Sequence, residues 1–239
     1  MRNVWILARR EFTHYFISPL AYVLSFFFFL VLGLVFYLSL SAGIAFGQIE
    51  PDGRVVIGWM VWILLLAITP FVTMRLIADE QRMGTLELLL TAPVRDWELI
   101  LGKWLGSFGF LLLLLSVTWV YPLILHRMTQ PGIDQGVLVA AYAGLVLLVA
   151  AMLAIGTLVS TLFSNPWAAA PVTAVVLLCL VILGNASATS EWARQVGFFQ
   201  HYQTFYQGVI QVSDVAYYLS LTVFCLFLST QVIQARRWR

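Results

Sequence analysis

The sequence predicts an all-α integral membrane protein with six transmembrane helices, an N-terminal amphipathic interfacial helix, a cytoplasmic coupling helix and short external helices before the last span. Three observations carry this expectation. Of the 239 residues, 62% are hydrophobic and 10% charged, and the mean hydropathy is +0.93, so there are too few charges to coat a water-soluble globule of this size. Six apolar segments, 20–41, 55–78, 98–125, 137–163, 167–185 and 215–233, match the roughly 20 residues that cross about 30 Å of hydrocarbon. Threading them alternately through a bilayer collects Arg2, Arg9, Arg10, Arg75, Arg82, Arg95, Lys103, Arg236, Arg237 and Arg239 on one side, against Arg54, Arg127 and Arg194 on the other. The positive-inside rule makes the richer side the cytoplasm and puts both termini there. Each span is expected to be helical, because lipid offers no partner for unpaired backbone N–H and C=O groups.

Residues 1–18 precede the first span. On a helical wheel Met1, Val4, Trp5, Ala8, Phe12, Tyr15 and Phe16 share one arc of about 120°, with Arg2, Arg9, Arg10 and Thr13 elsewhere. This pattern predicts a helix lying in the headgroup boundary, its arginines facing anionic lipid, and Pro19 breaking it before the chain turns to span. The first apolar run, 20–40, is too long for a signal-peptide core and no small-residue cleavage site follows it, so it reads as a retained span.

Spans two and three are joined by a cytoplasmic segment, 79–97, that is longer and more charged than a reversal of direction needs. Gly84 is expected to end one helix and Thr85 to cap the next. Leu86, Leu88, Leu89 and Leu90 then offer apolar contacts until Pro93 stops it, and another helix starts at Asp96. Glu80, Arg82 and Glu87 are expected to face the cytosol as charge-pairing sites. Span three opens with Gly102 and Gly106, whose spacing lets helix backbones approach closely, and Gly156 with Ser160 is a weaker version in span four. Arg75 and Lys103, near span ends, read as snorkelling anchors.

Between spans five and six, 186–214 is too aromatic for a solvated loop. Phe198, Tyr202, Phe205 and Val209 recur at helical spacing, as do Trp192, Val196 and Phe199, which predicts short helices half sunk in the outer leaflet. Tyr206, Gly208 and Asp214 complete this external segment. The chain thus forms one transmembrane domain, 1–239.

Several function classes are excluded. No phosphate-binding G-x-x-x-x-G-K-[ST] loop exists, since Gly102-Lys-Trp104 lacks both the preceding glycine and the hydroxyl residue. His14, His126 and His201 are dispersed without companions at metal-ligand spacing, so no metal site is expected, and Cys179 and Cys225 read as small core residues. A net charge of +2 does not argue for nucleic acid. No ionisable group stands at the centre of a span, against an intramembrane enzyme or a proton-coupled carrier.

Arg10-Glu-Phe-Thr-His-Tyr-Phe-Ile-Ser-Pro-Leu-Ala-Tyr22, the stretch Arg75 to Pro93 followed by Leu101-Gly-Lys103, and Gln207-Gly-Val-Ile210 with Asp214 and Arg236-Arg-Trp238 together carry a family resemblance. The chain resembles the permease subunits of ABC-2 type transporters, and within them the gliding-motility-associated group, over nearly its whole length. The resemblance implies a multi-pass protein of the bacterial cytoplasmic membrane that pairs with a second permease subunit, often a copy of itself. It also implies two cytoplasmic ABC ATPase subunits that hold the ATP and Mg, and an auxiliary periplasmic-facing protein. Their closure on ATP would be transmitted through the N-terminal helix, with Arg10 and Glu11, and through Glu80 to Leu90. The alternative is a non-transporting anchor or assembly scaffold, including one for copper-site maturation.

Overall fold

A computed structural model describes residues 2–45, 54–85, 95–128, 132–185 and 197–237. Within them the chain is helical and contains six helical stretches long and apolar enough to cross a membrane: Pro19–Ala45, Val56–Arg82, Asp96–Met128, Gln135–Leu162, Pro166–Gly184 and Val212–Arg236. The expected fold class is therefore observed, with each span close to its sequence-derived position.

Helix α1 (Arg2–Ile17) ends before Pro19, where α2 (Pro19–Ala45) begins. The second span is not one helix. It runs as α3 (Arg54–Ile63), a π-helical turn (Leu64–Ile68), α4 (Thr69–Thr73), a turn, and α5 (Ala78–Arg82). Pro70 has no N–H to give the carbonyl four residues back, and the wider π register lies at that point. The third span is α6 (Asp96–Val117) and α7 (Val120–Met128), broken where the Thr118 hydroxyl takes the Leu115 carbonyl at 2.6 Å and also meets the Tyr142 hydroxyl at 3.0 Å. Pro122 then withholds the N–H that would otherwise reach the Thr118 carbonyl. Helices α8 (Gln135–Leu162), α9 (Pro166–Asn185), α10 (Gln200–Tyr206) and α11 (Val212–Arg237) complete the bundle.

The centre of the bundle is α8. Its small residues Ala140, Ala141, Gly144, Ala150, Ala151 and Ala154 are buried, which lets α11, α10, α9, α6 and α4 close around it. Helix α2 stands at the edge and turns most of its surface, including Tyr22, Phe26, Leu30 and Tyr37, outward. A single apolar cluster joins α2, the second span, α6, α8, α10 and α11.

The aromatics of 198–205 correct one expectation. Phe198, Tyr202 and Phe205 are not sunk in lipid but fully buried in protein. Phe205 fills the space over Gly144, where any side chain would meet its Cβ at 2.5 Å, and the Tyr218 hydroxyl donates to the Phe198 carbonyl at 2.7 Å. Phe199 is half-buried with its ring 6.3 Å from that of Trp62, Tyr206 is half-buried, and Gly208, at φ +88°, lies against Val137. Trp192 and Val196 lie outside the described residues.

Candidate functional site

One end of the bundle brings together α1, α5, the start of α6 and the ends of α8 and α11, and it carries the residues expected to couple. Its assembly begins with glycine. At Gly102 an added Cβ would meet Leu7 Cβ at 2.6 Å, and at Gly106 it would meet Glu11 Cβ at 2.6 Å and the Ala8 carbonyl at 2.9 Å. The close approach anticipated for this pair is thus made to α1 of the same chain. Phe12 lies over Gly109, the next residue in the row.

This contact redefines the face of α1. Val4, Ala8, Glu11, Phe12 and Tyr15 turn toward the protein, Phe16, 41% exposed, sets its ring 6.5 Å from that of Phe110, and Trp5, 70% exposed, turns away. Leu7, off the predicted arc, makes a contact at Gly102. Further ties hold the two helices: Asn3 donates to Glu98 at 3.2 Å, and the Tyr15 hydroxyl donates to Ser107 Oγ at 3.2 Å. Burial pushes the Tyr15 phenol far above its usual range, so it stays a neutral donor. Glu98 also accepts from the Arg95 backbone N–H at 3.1 Å, capping α6 at the predicted start.

Lys103 sits in the middle of this contact. Its side chain is only 4% exposed, and Nζ lies 2.7 Å from Glu11 Oε1 on α1 and 2.7 Å from Glu80 Oε1 on α5. Two expectations are corrected here. Lys103 does not snorkel to the interface, because two carboxylates meet it inside the protein. Glu80 does not face the cytosol, because it turns inward to that ammonium. Its second oxygen, Oε2, is buried without a hydrogen-bond partner among the described residues. One buried cation thus ties three elements that the sequence keeps far apart.

The opposite side of α5 is held as firmly. Ser160 Oγ accepts from the backbone N–H groups of Ile77 and Ala78 at 3.2 and 3.1 Å, supplying partners that a helix start would otherwise lack. One turn earlier Gly156 lies directly against Thr73, so this pair also packs within the chain. Gln81 donates to the Thr161 carbonyl at 3.1 Å and accepts from Arg236 at 3.1 Å, while Arg236 also donates to the Leu162 carbonyl at 3.2 Å. The turn after α5 needs Gly84, whose φ of 69° is the left-handed conformation that closes a helix. Arg82 is exposed as expected, and Arg10 is exposed on α1. The Thr85 hydroxyl donates back to the Glu80 carbonyl at 3.4 Å. Leu86, Glu87, Leu88, Leu89, Leu90 and Pro93 lie outside the described residues.

At the other end, Asp214 is buried in the first turn of α11, with His201 Nδ1 2.7 Å from its Oδ1 and the Thr204 hydroxyl donating to Oδ2. The His201 ring stacks on Tyr217 at 4.1 Å. His201, dispersed from the other histidines in sequence, is thus held by Asp214 and Tyr217 in the fold. Asp214→Asn should loosen α10 from α11, lowering stability by about 1.5–3 kcal/mol, the scale of hydrogen bonds to a charged group. A lowered melting temperature of the full chain in detergent would show it, and an unchanged one would mean that the apolar contacts of α10 suffice.

Lys103 and His201 make buried polar contacts that the sequence did not announce. An ammonium inside an apolar run and a glutamate on an otherwise apolar helix face were the available signal for the first. For the second there was none, since His201 and Asp214 are not at helical spacing.

A bundle of six span-length helices, with a glycine-docked N-terminal helix locked by a buried charge cluster, defines a multi-pass membrane subunit. The chain matches the family described as ABC-2 family transporter protein over residues 5–235, and it belongs to that family. It is a permease subunit, the transmembrane and not the catalytic component of such a transporter, and ABC-2 permeases generally work with an ABC ATPase. None of the curated proteins compared matches it.

Proposed function

We propose that this permease couples ATP hydrolysis by a separate cytoplasmic ATPase subunit to export or to mechanical work across the membrane. The observation that carries the reading is the Lys103 cluster. It joins α1 and α5 to α6, so α1, α5 and the third span are bound to move together. The segment 86–94 follows α5 after the turn at 83–85, and a push delivered there would pass through α5 to Lys103 on one side and to Ser160 and Thr161 of α8 on the other. Force applied to five residues thereby reaches three spans.

In this reading the basic end faces the cytoplasm of a bacterial inner membrane, a second copy of the chain completes the pathway, and two ATPase subunits carry ATP and Mg. The resemblance carried by Arg10 to Tyr22, by Arg75 to Pro93 with Leu101 to Lys103, and by Gln207 to Ile210 with Asp214 and Arg236 to Trp238 supports the finer placing in the gliding-motility-associated group, with an auxiliary periplasmic-facing protein.

The test is co-purification with a candidate ABC ATPase subunit, followed by assay of ATPase activity in the complex. Glu87→Lys should reduce assembly or coupling by the equivalent of about 2–5 kcal/mol if Glu87 docks a partner's basic residue, and by about 0–1 kcal/mol if it is merely solvated. Leu88→Asp should act in the same direction by removing an apolar contact. Wild-type assembly and activity in both variants would remove the coupling role of 86–94 and favour a scaffold.

A further inference from the structure

At the basic end a cavity of about 460 Å³ opens between α1, the start of α2, α4 and α5. Its floor is apolar, formed by Leu20 and Leu24 of α2 and by Phe71 of α4, and its rim carries Arg10, His14 and Arg75. Three carboxylates and Lys103 also line it. Glu11 and Glu80 turn to Lys103, and Asp79 meets Arg75 only at Nε, at 3.8 Å. Arg10 has no ion-pair partner among the described residues, and His14 stands one helical turn beyond it, exposed like Arg10.

We infer that this cleft is a binding site for an anionic glycerophospholipid, with its phosphate at Arg10, His14 and Arg75 and an acyl chain along Leu20, Leu24 and Phe71. The occupant follows from charge and placement. A cationic rim above an apolar floor complements a molecule that is anionic at one end and hydrocarbon at the other. The cleft also lies where α1, expected from its arginines at the headgroup boundary, meets the start of the outward-turned α2, and a phospholipid at that boundary changes from phosphate to chain. Because the same walls include α1 and α5, a lipid seated here would brace the elements that Lys103 joins. The site itself does not depend on the ATPase reading.

The experiment places the purified full-length chain in nanodiscs made from equal parts phosphatidylglycerol and phosphatidylethanolamine, and measures by native mass spectrometry which lipid stays bound. Wild type should retain phosphatidylglycerol selectively. Arg10→Gln and Arg75→Gln should each weaken that retention about five-fold, the scale for one cation near an anionic headgroup. Arg9→Gln, an equally exposed arginine on α1 that does not line the cleft, should leave it unchanged. Ser18→Trp, which keeps every charge but fills the cavity, should abolish it. Equal losses in Arg9→Gln and Arg10→Gln would overturn the site in favour of diffuse attraction. Retention in Ser18→Trp, or displacement by excess inorganic phosphate, would overturn it as a lipid site.

Discussion

Replacing Lys103 by Met will release α1 and α5 from α6 and is expected to be among the most damaging single substitutions in the chain. The substitution preserves length and apolar stem but leaves Glu11 and Glu80 facing each other with no cation between them. Both carboxylates are mostly buried, at 20% and 17% exposure, and stranding buried charge in this way costs about 3–5 kcal/mol. Glu80→Gln should cost much less, because Lys103 keeps Glu11. The readout is limited proteolysis of the purified chain together with its melting temperature in detergent. Lys103→Met should expose the α1 region to cleavage while Glu80→Gln should not. If the triple variant Glu11→Gln, Glu80→Gln, Lys103→Met regains most of the loss, stranded charge is the cause. If it does not, Lys103 contributes mainly through packing of its stem.

The second large effect is steric. Gly106→Leu should drive α1 off α6, because even a Cβ there would lie 2.6 Å from Glu11 Cβ and 2.9 Å from the Ala8 carbonyl. A backbone carbonyl cannot rotate away as a side-chain tip can. Overpacking of this kind usually costs about 1–3 kcal/mol, and a full leucine belongs at or beyond the upper end. The test is a cysteine placed at Ala8, which is 5% exposed: it should be protected from a thiol reagent in the Gly106 background and labelled rapidly in Gly106→Leu. Gly33→Leu is the control, since a Cβ there meets nothing closer than the Tyr121 hydroxyl at 3.6 Å. Continued protection of the cysteine in Gly106→Leu would mean that α1 is held by its polar ties rather than by the glycine row.

The spans, the helical fold, the N-terminal helix and the helix start at Asp96 were legible in the sequence because each is set locally. Twenty apolar residues in lipid have no alternative to a helix, and a proline or a capping carboxylate acts within a turn of its own position. Gly102 and Gly106 were legible as a close approach but not as to what approaches, since the motif specifies room and not a partner. Which face of a helix meets protein was the harder matter. In water an apolar face is the buried one, but a helix at a membrane surface can turn an apolar side chain to lipid as well as to protein, so Trp5 resembles Phe12 and Tyr15 although it is 70% exposed. The same blindness hid the aromatics of 198–205, whose composition suits a lipid belt as well as a core. Only the tertiary structure decided that Lys103 is a buried clamp and not a snorkelling anchor, because that depends on two carboxylates arriving from α1 and α5. Charge pairing at such separations is a property of the packed bundle, and no window along the chain contains it.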